Sequence, residues 1–332
     1  MWRLVRPLVF RVDPERAHDA AVRVAELLSR APALRPGPPS DPRLAVSVAG
    51  MRLASPLGLA AGFDKSARAV PLLGSLGFGH VEIGSVSREE AAGNPKPRLW
   101  RLPAERAIVV HYGVPNDGAT AVAARLGAAR RPVPVGVNLV STSEDVLDDY
   151  VASFRRLQGL ADYVCLNLSC PNTVDGRGYF ADRSRLRELL DRLGDAGVFR
   201  PLFIKVAPFG AASELDSFLA AANAPFVSGF SVNLPPGGRP GMPGAVSGPP
   251  SAARAERTVA ELHRASARPV IGSGGVSSAE DAYRMIRAGA SLVQVYTVLV
   301  YEGPRVVSGI TSDLASLVAR DGFASVGDAV GA

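Results

Sequence analysis

A thiol, a few lysines and a run of bare glycines are the parts of this sequence equipped to do chemistry. Cys170 stands in LNLSCPNT (166–173), where a strand-forming run ends in a cysteine wedged between a serine and a proline, with Asn167 and Asn172 on either side. The chain has two cysteines and four histidines in 332 residues, too few for a disulfide framework or a cysteine-rich zinc site, and no metal is expected. Cys170 is therefore either a reactive thiol or a small space-filling residue. Cys165, in mid-strand, reads as core. Lys65, Lys96 and Lys205 are the only lysines among 37 basic residues. Lys65 follows PLGLAAGFD and Lys205 sits inside LFIKVAP, so both lie at or near the ends of buried strands. An ammonium there needs an ion-pair partner or a ligand, because desolvating it is costly, and a ligand-facing role is expected. GSGGV (272–276) brings Gly274 and Gly275 to the opening of a helix. Backbone N–H groups without a side chain over them can approach an anion closely, and a tight turn is the alternative use of such glycines.

These residues need elements to hold them. Eight short apolar runs recur between longer helical patterns: 56–63, 80–86, 133–140, 163–170, 202–208, 229–235, 269–276 and 292–297. They are near-continuous rather than alternating, which is the pattern of parallel strands covered on both faces. The segments between them include SRLRELLDRL (184–193), SELDSFLAAA (213–222) and SAEDAYRMIRAG (278–289), each opening on a serine able to cap a helix. Eight alternations predict an α/β fold, a (β/α)8 TIM barrel, whose active site lies at the C-terminal strand ends. LNLSCPNT ends one strand, and the glycines and GASLVQVYT (289–297) belong to the last two.

Residues 1–30 read as two amphipathic helices, with Trp2, Val5, Val9 and Phe10 on an apolar side and Arg3, Arg6 and Arg11 among them. With the Pro-rich linker that follows they form an N-terminal segment, 1–43, ahead of a barrel domain, 44–332. The helices either pack on the barrel or lie on a membrane surface. No apolar run is long enough to cross a bilayer, so a cytoplasmic protein is expected, with residues 1–30 available for peripheral contact at the inner membrane face. The net charge of +6 is spread without blocks, so a solvated basic surface is expected rather than nucleic-acid binding. Monomer and dimer are both open.

VDPERAH (12–18), LGLAAGFDK (57–65), FGHVEIGSV (78–86), GNPKPRLWRL (93–102), NLSCPNT (167–173), IKVAP (204–208), VSGPP (246–250) and GASLVQVYT together resemble dihydroorotate dehydrogenase, and the N-terminal helices resemble its quinone-using class 2. The resemblance spans nearly the whole chain. It implies an FMN-binding barrel with the cofactor at Ala61, Lys65, Ser85, Asn138, Asn167, Lys205, Gly248, Gly275, Tyr296 and Thr297, joined by Gly274 of the glycine run. It places the catalytic base at Cys170 and gives Lys205 a reason to be lysine, since a cation beside the flavin stabilises the reduced ring. Class 2 enzymes usually carry serine at the base position. A thiol ionises far more easily, with a reference pKa of about 8.5. His18 and Arg101 match positions lining a quinone tunnel.

The substrate half departs from the family. VVHYGVPN (109–116) puts Val110 at a substrate-binding asparagine and Val114 at a pocket phenylalanine, and Asn233 is followed by Leu234 where the family has threonine. Each lost hydrogen bond leaves a substrate atom unpaired at about 1–3 kcal/mol, so two would weaken dihydroorotate by roughly a hundredfold. Lys65, Asn167, Asn172 and Asn233 could still grip a small carbonyl-bearing ring. The expectation is a paralogue that keeps flavin chemistry beside a carbonyl and serves another substrate, in a specialised pathway. The alternative is a genuine dihydroorotate:quinone oxidoreductase of pyrimidine biosynthesis. From another class, a phosphate-binding barrel lyase would use Lys205 as a Schiff-base amine.

Overall fold

The computed structural model describes residues 2–30, 41–169, 178–234 and 237–332. Two helices come first, α1 (Trp2–Val9) and α2 (Pro14–Ser29), and a hairpin, β1 (Val46–Val48) with β2 (Met51–Leu53), leads into the barrel. The barrel strands are β3 (Leu57–Leu59), β4 (His80–Val86), β7 (Val135–Leu139), β8 (Tyr163–Asn167), β9 (Leu202–Val206), β10 (Val227–Val232), β12 (Val270–Ser273) and β13 (Ala290–Val295), parallel and closed in chain order, β13 pairing β3. All eight predicted runs are there. Helices α3 (Val70–Gly74), α4 (Gly118–Ala128), α5 (Val146–Leu157), α6 (Arg183–Asp195), α7 (Ala212–Ala221), α8 (Ala252–Ala265), α9 (Ala279–Arg287), α10 (Thr297–Glu302) and α11 (Val306–Arg320) make up the rest of the helical complement. The fold is the expected (β/α)8 barrel with a small N-terminal helical extension.

The main core joins the outward faces of the strands to the helices, with Phe78, Phe154, Leu186 and Phe230 among its buried residues. A second cluster lies inside the barrel, where Tyr163, Cys165, Phe203, Ile271 and Leu292 meet Val48, Met51 and Leu53 of the hairpin. Cys165 is core, as read from its mid-strand place. Gly136 makes room for the large ring of Tyr163: a Cβ there would lie 2.1 Å from it.

Five strands escaped the sequence reading, the hairpin strands β1 and β2 and three more. β5 (Leu99–Leu102), β6 (Ala107–Val110) and β11 (Ala245–Ser247) form a separate antiparallel sheet in the order β11-β6-β5. Two of the serine caps are also corrected. Asp182 caps α6, accepting from Ser184 N–H, while Ser213 lies inside α7, whose start has no side-chain cap. Ser278 does cap α9. A carboxylate two residues earlier accepts the first free N–H as well as a hydroxyl would, so the serine becomes part of the first turn.

The first helix docks largely through the expected side, with Phe10 edge-on to the Tyr301 ring at 5.4 Å, and Val5 is the member left out. Trp2 Nε1 and Arg6 donate to the carbonyl of Tyr301 at 3.1 and 2.8 Å, whereas Val5 is 42% exposed and points away with Leu4 and Leu8. Asp13 caps α2, and Glu15 in its first turn receives Arg98 at 2.8 Å, a buried pair that pins α2 to the barrel. Most of the Pro-rich linker lies outside the described residues, and its end, Pro42–Leu44, is a short 3-10 turn. Among the described residues no helix is long and apolar enough to cross a membrane.

Candidate active site

At the C-terminal strand ends two adjoining cavities of about 120 Å³ each open beneath the small sheet. The first is lined by Ala61, Gly62, Lys205, Gly248, Ser273, Gly274, Gly275, Gln294, Tyr296 and Thr297. The second is lined by Lys65, Ser85, Val110, Val114, Asn167, Asn233 and Leu234, and it shares Ala61, Tyr112 and Lys205 with the first. A third, more polar cleft of about 360 Å³ lies along α2 and includes Glu15, His18, Asp19, Lys65 and Tyr112. Most of the predicted residues thus converge at the expected end of the barrel. Asn138 instead lies fully buried behind the second cavity, accepting from Ser85 and donating to Glu82 at 2.8 Å.

Backbone and burial explain several choices. Gly248, Gly274 and Gly275 all have positive φ, and a Cβ on Gly275 would lie 2.4 Å from Ala252 Cα, so only glycine fits that close approach. Ser247 and Thr297 bond each other at 2.7 Å, joining β11 to the start of α10. Val114 also has positive φ, +51°, which costs a β-branched residue about 1–3 kcal/mol. Asn116 helps to hold that shape by donating to the Val114 carbonyl at 3.0 Å.

Both buried lysines face a cavity, and both also have partners. Lys205 lies 4.0 Å from Glu82, which supplies an ion-pair partner, while the residue also lines the cavity. Lys65 sits over the Tyr112 ring at 4.3 Å and bonds His18 Nε2 at 3.1 Å. Burial, opposed by Asp19, Glu15 and Asp64, draws its pKa down to about 8. Burial and the neighbouring Lys65 charge hold His18 well below the usual imidazole range, so it is neutral and its Nε2 accepts from the lysine. His18 also packs between Phe63 and Tyr296.

Arg101, paired with His18 in the sequence reading, is engaged elsewhere. It donates to the carbonyls of Phe10 and Val12 and lies over the Phe10 ring at 4.6 Å. Cys170 and Asn172 lie outside the described residues. The chain leading to them is anchored at the cavity rim, where Ser169 donates to the Lys205 carbonyl at 3.2 Å and Asn233 donates to the Ser169 carbonyl at 3.1 Å. Sequence reasoning missed Glu82, Gln294 and Tyr112. Glu82 and Gln294 are lone polar residues in apolar strand runs, HVEIGSV and LVQVYT, a signal that a buried partner exists.

A family model described as dihydroorotate dehydrogenase matches residues 43–318. The chain belongs to the dihydroorotate dehydrogenase family. It is 40% identical to the dihydroorotate dehydrogenase (quinone) of Acidithiobacillus ferrooxidans, over 99% of each chain. It is 41% identical to the protein of that name from Halobacterium salinarum, over 100% of this chain and 99% of the relative. The crystal structure of the Eimeria tenella enzyme in complex with ferulenol superposes with a TM-score of 0.88 at 30% identity, covering 96% of this chain and 95% of that one.

Membership makes the protein a flavin-dependent oxidoreductase acting on CH–CH bonds, with FMN as cofactor. The first cavity fits such a group. It offers the positive-φ glycines for a phosphate, an ammonium in Lys205, and the Gln294 Oε1 atom, buried without a partner among the described residues. The Schiff-base lyase reading falls with the family assignment. The full-length relatives named as quinone-dependent dihydroorotate dehydrogenases support the genuine-enzyme alternative better than the paralogue expectation.

Proposed function

We propose that this chain oxidises dihydroorotate and passes the electrons to a quinone, serving pyrimidine biosynthesis. The observation that carries the reading is a polar group gained where another was lost. Val110 and Val114 cannot hydrogen-bond substrate, yet the Tyr112 hydroxyl, 6% exposed and without a partner among the described residues, lines the same cavity beside Lys65. Burial pushes its phenol far above the usual range, so it stays protonated and available as a donor. A buried donor costs free energy until something accepts from it, and a carboxylate or ring carbonyl of an anionic substrate would do so.

In this reading Ala61, Lys65, Ser85, Asn138, Asn167, Lys205, Gly248, Gly274, Gly275, Tyr296 and Thr297 hold FMN, which supplies the hydride acceptor when bound. Lys65, Tyr112, Asn167, Asn172 and Asn233 orient the substrate, and Val110, Val114 and Leu234 give it apolar walls. Cys170 takes the proton from carbon beside the carbonyl. His18, in the cleft along α2, and Arg101, held by the Phe10 and Val12 carbonyls, are assigned to the acceptor side, where α1 and α2 cover the barrel. The exposed Leu4, Leu8, Val24 and Leu27 of these helices support peripheral contact with a membrane that carries the quinone. Steady-state assays with dihydroorotate and a soluble quinone analogue test the proposal: orotate formed in step with quinone reduced supports it, and no turnover with a flavin-loaded protein refutes it.

A further inference from the structure

Glu82 is fully buried inside the barrel and is bonded from several strands. One carboxylate oxygen accepts from Asn138 of β7 at 2.8 Å; the other accepts from Tyr163 of β8 at 3.0 Å and Gln294 of β13 at 2.9 Å. The Lys205 ammonium of β9 lies 4.0 Å away. The network then runs outward. Asn138 Oδ1 accepts from Ser85 Oγ, Ser85 Oγ accepts from Asn167 Nδ2 at 3.2 Å, and Asn167 Oδ1 accepts from Asn233 Nδ2 at 3.2 Å. A carboxylate can only accept, so Asn138 must turn its amide nitrogen inward and its oxygen outward, and each later group inherits its direction from the one before.

We infer that Glu82 is a positioning residue for both halves of the site: its carboxylate fixes the donor direction of the Asn138–Ser85–Asn167–Asn233 relay, and its charge offsets that of Lys205. A purely structural ion pair would end in the core. This network ends on Ser85, Asn167, Asn233 and Lys205, which line the second cavity, and Gln294 lines the first. The inference rests on the flavin and substrate assignments above, and its test separates it from them.

Glu82→Gln keeps the shape but removes the charge and adds donors. With the Lys205 cation no longer offset, the bound flavin becomes easier to reduce and its midpoint potential moves upward. The relay loses its imposed direction, and KM for dihydroorotate rises roughly tenfold, the equivalent of one charge-assisted hydrogen bond. Ser85→Ala cuts the relay without touching the Glu82–Lys205 pair, so KM rises while the potential moves less than in Glu82→Gln, and it carries the test if Glu82→Gln does not fold. The potential comes from dye-coupled redox titration and needs no substrate, so its result stands whatever the substrate is. An unshifted potential in Glu82→Gln, or a parental KM in Ser85→Ala, overturns the inference.

Discussion

At the scale of single residues, the proposed site rests on a thiol base, a softened lysine and a buried phenol. If Cys170 is the base, Cys170→Ser replaces a group of reference pKa about 8.5 with a hydroxyl that ionises only far above it, so the pH optimum of substrate oxidation moves upward. An unchanged pH profile would remove Cys170 from that role. Lys65 binds an anion only while charged. Burial, partly opposed by Asp19, Glu15 and Asp64, brings its pKa down to about 8, so kcat/KM for dihydroorotate falls as pH rises through about 8 in the free enzyme, well before an ordinary lysine would titrate. A limb absent up to pH 10, or one that persists unmoved in Lys65→Met, contradicts this. Tyr112→Phe removes the unpartnered hydroxyl and nothing else, and KM rises roughly tenfold, the loss of one buried hydrogen bond to substrate, with kcat less affected. A KM within twofold of the parent would return the substrate question to where Val110 left it.

At the scale of elements, legibility followed burial. All eight barrel strands were visible because a parallel strand covered on both faces is written as an unbroken apolar run, and HVEIGSV maps onto β4 without a shift. LWRL and AIVV were harder to see, since β5 and β6 are four-residue strands whose pairing is settled by tertiary contact. Lys65, Lys205 and the glycines could be singled out because each breaks a local rule. Tyr112 could not, because an aromatic next to glycine is unremarkable until its hydroxyl proves to lack a partner. The α1 and α2 helices were legible as amphipathic, and Trp2 and Phe10 of the expected side dock on Tyr301, whose carbonyl also receives Arg6, a contact no pattern announces. Their exposed Leu4, Leu8, Val24 and Leu27 predict sedimentation with anionic vesicles at low salt. Removing Leu4 and Leu8 together should reduce it, and equal recovery with and without vesicles counts against any membrane role.

At the scale of the whole molecule, the barrel floor carries a stability cost in acid. His80 is fully buried at the start of β4 with neither ring nitrogen partnered among the described residues, and burial lowers its pKa from 6.5 to about 4. The unfolded chain therefore takes up a proton near pH 6.5 that the folded chain refuses until about pH 4. The resulting stability is intact above 6.5 and is lost as pH falls toward 4, by about 3 kcal/mol in all. Urea unfolding across that range should show the slope, and His80→Gln should flatten it; an equal slope in the variant assigns the effect to other groups.

A barrel with a rebuilt substrate cavity must still accept dihydroorotate if the proposed function is right. The most direct test is the visible spectrum of the flavin-loaded protein, held without oxygen, before and after dihydroorotate is added. Bleaching of the flavin band is the predicted result, and it requires no quinone or membrane. A band that persists at saturating dihydroorotate, in a protein that a chemical reductant does bleach, would contradict the account.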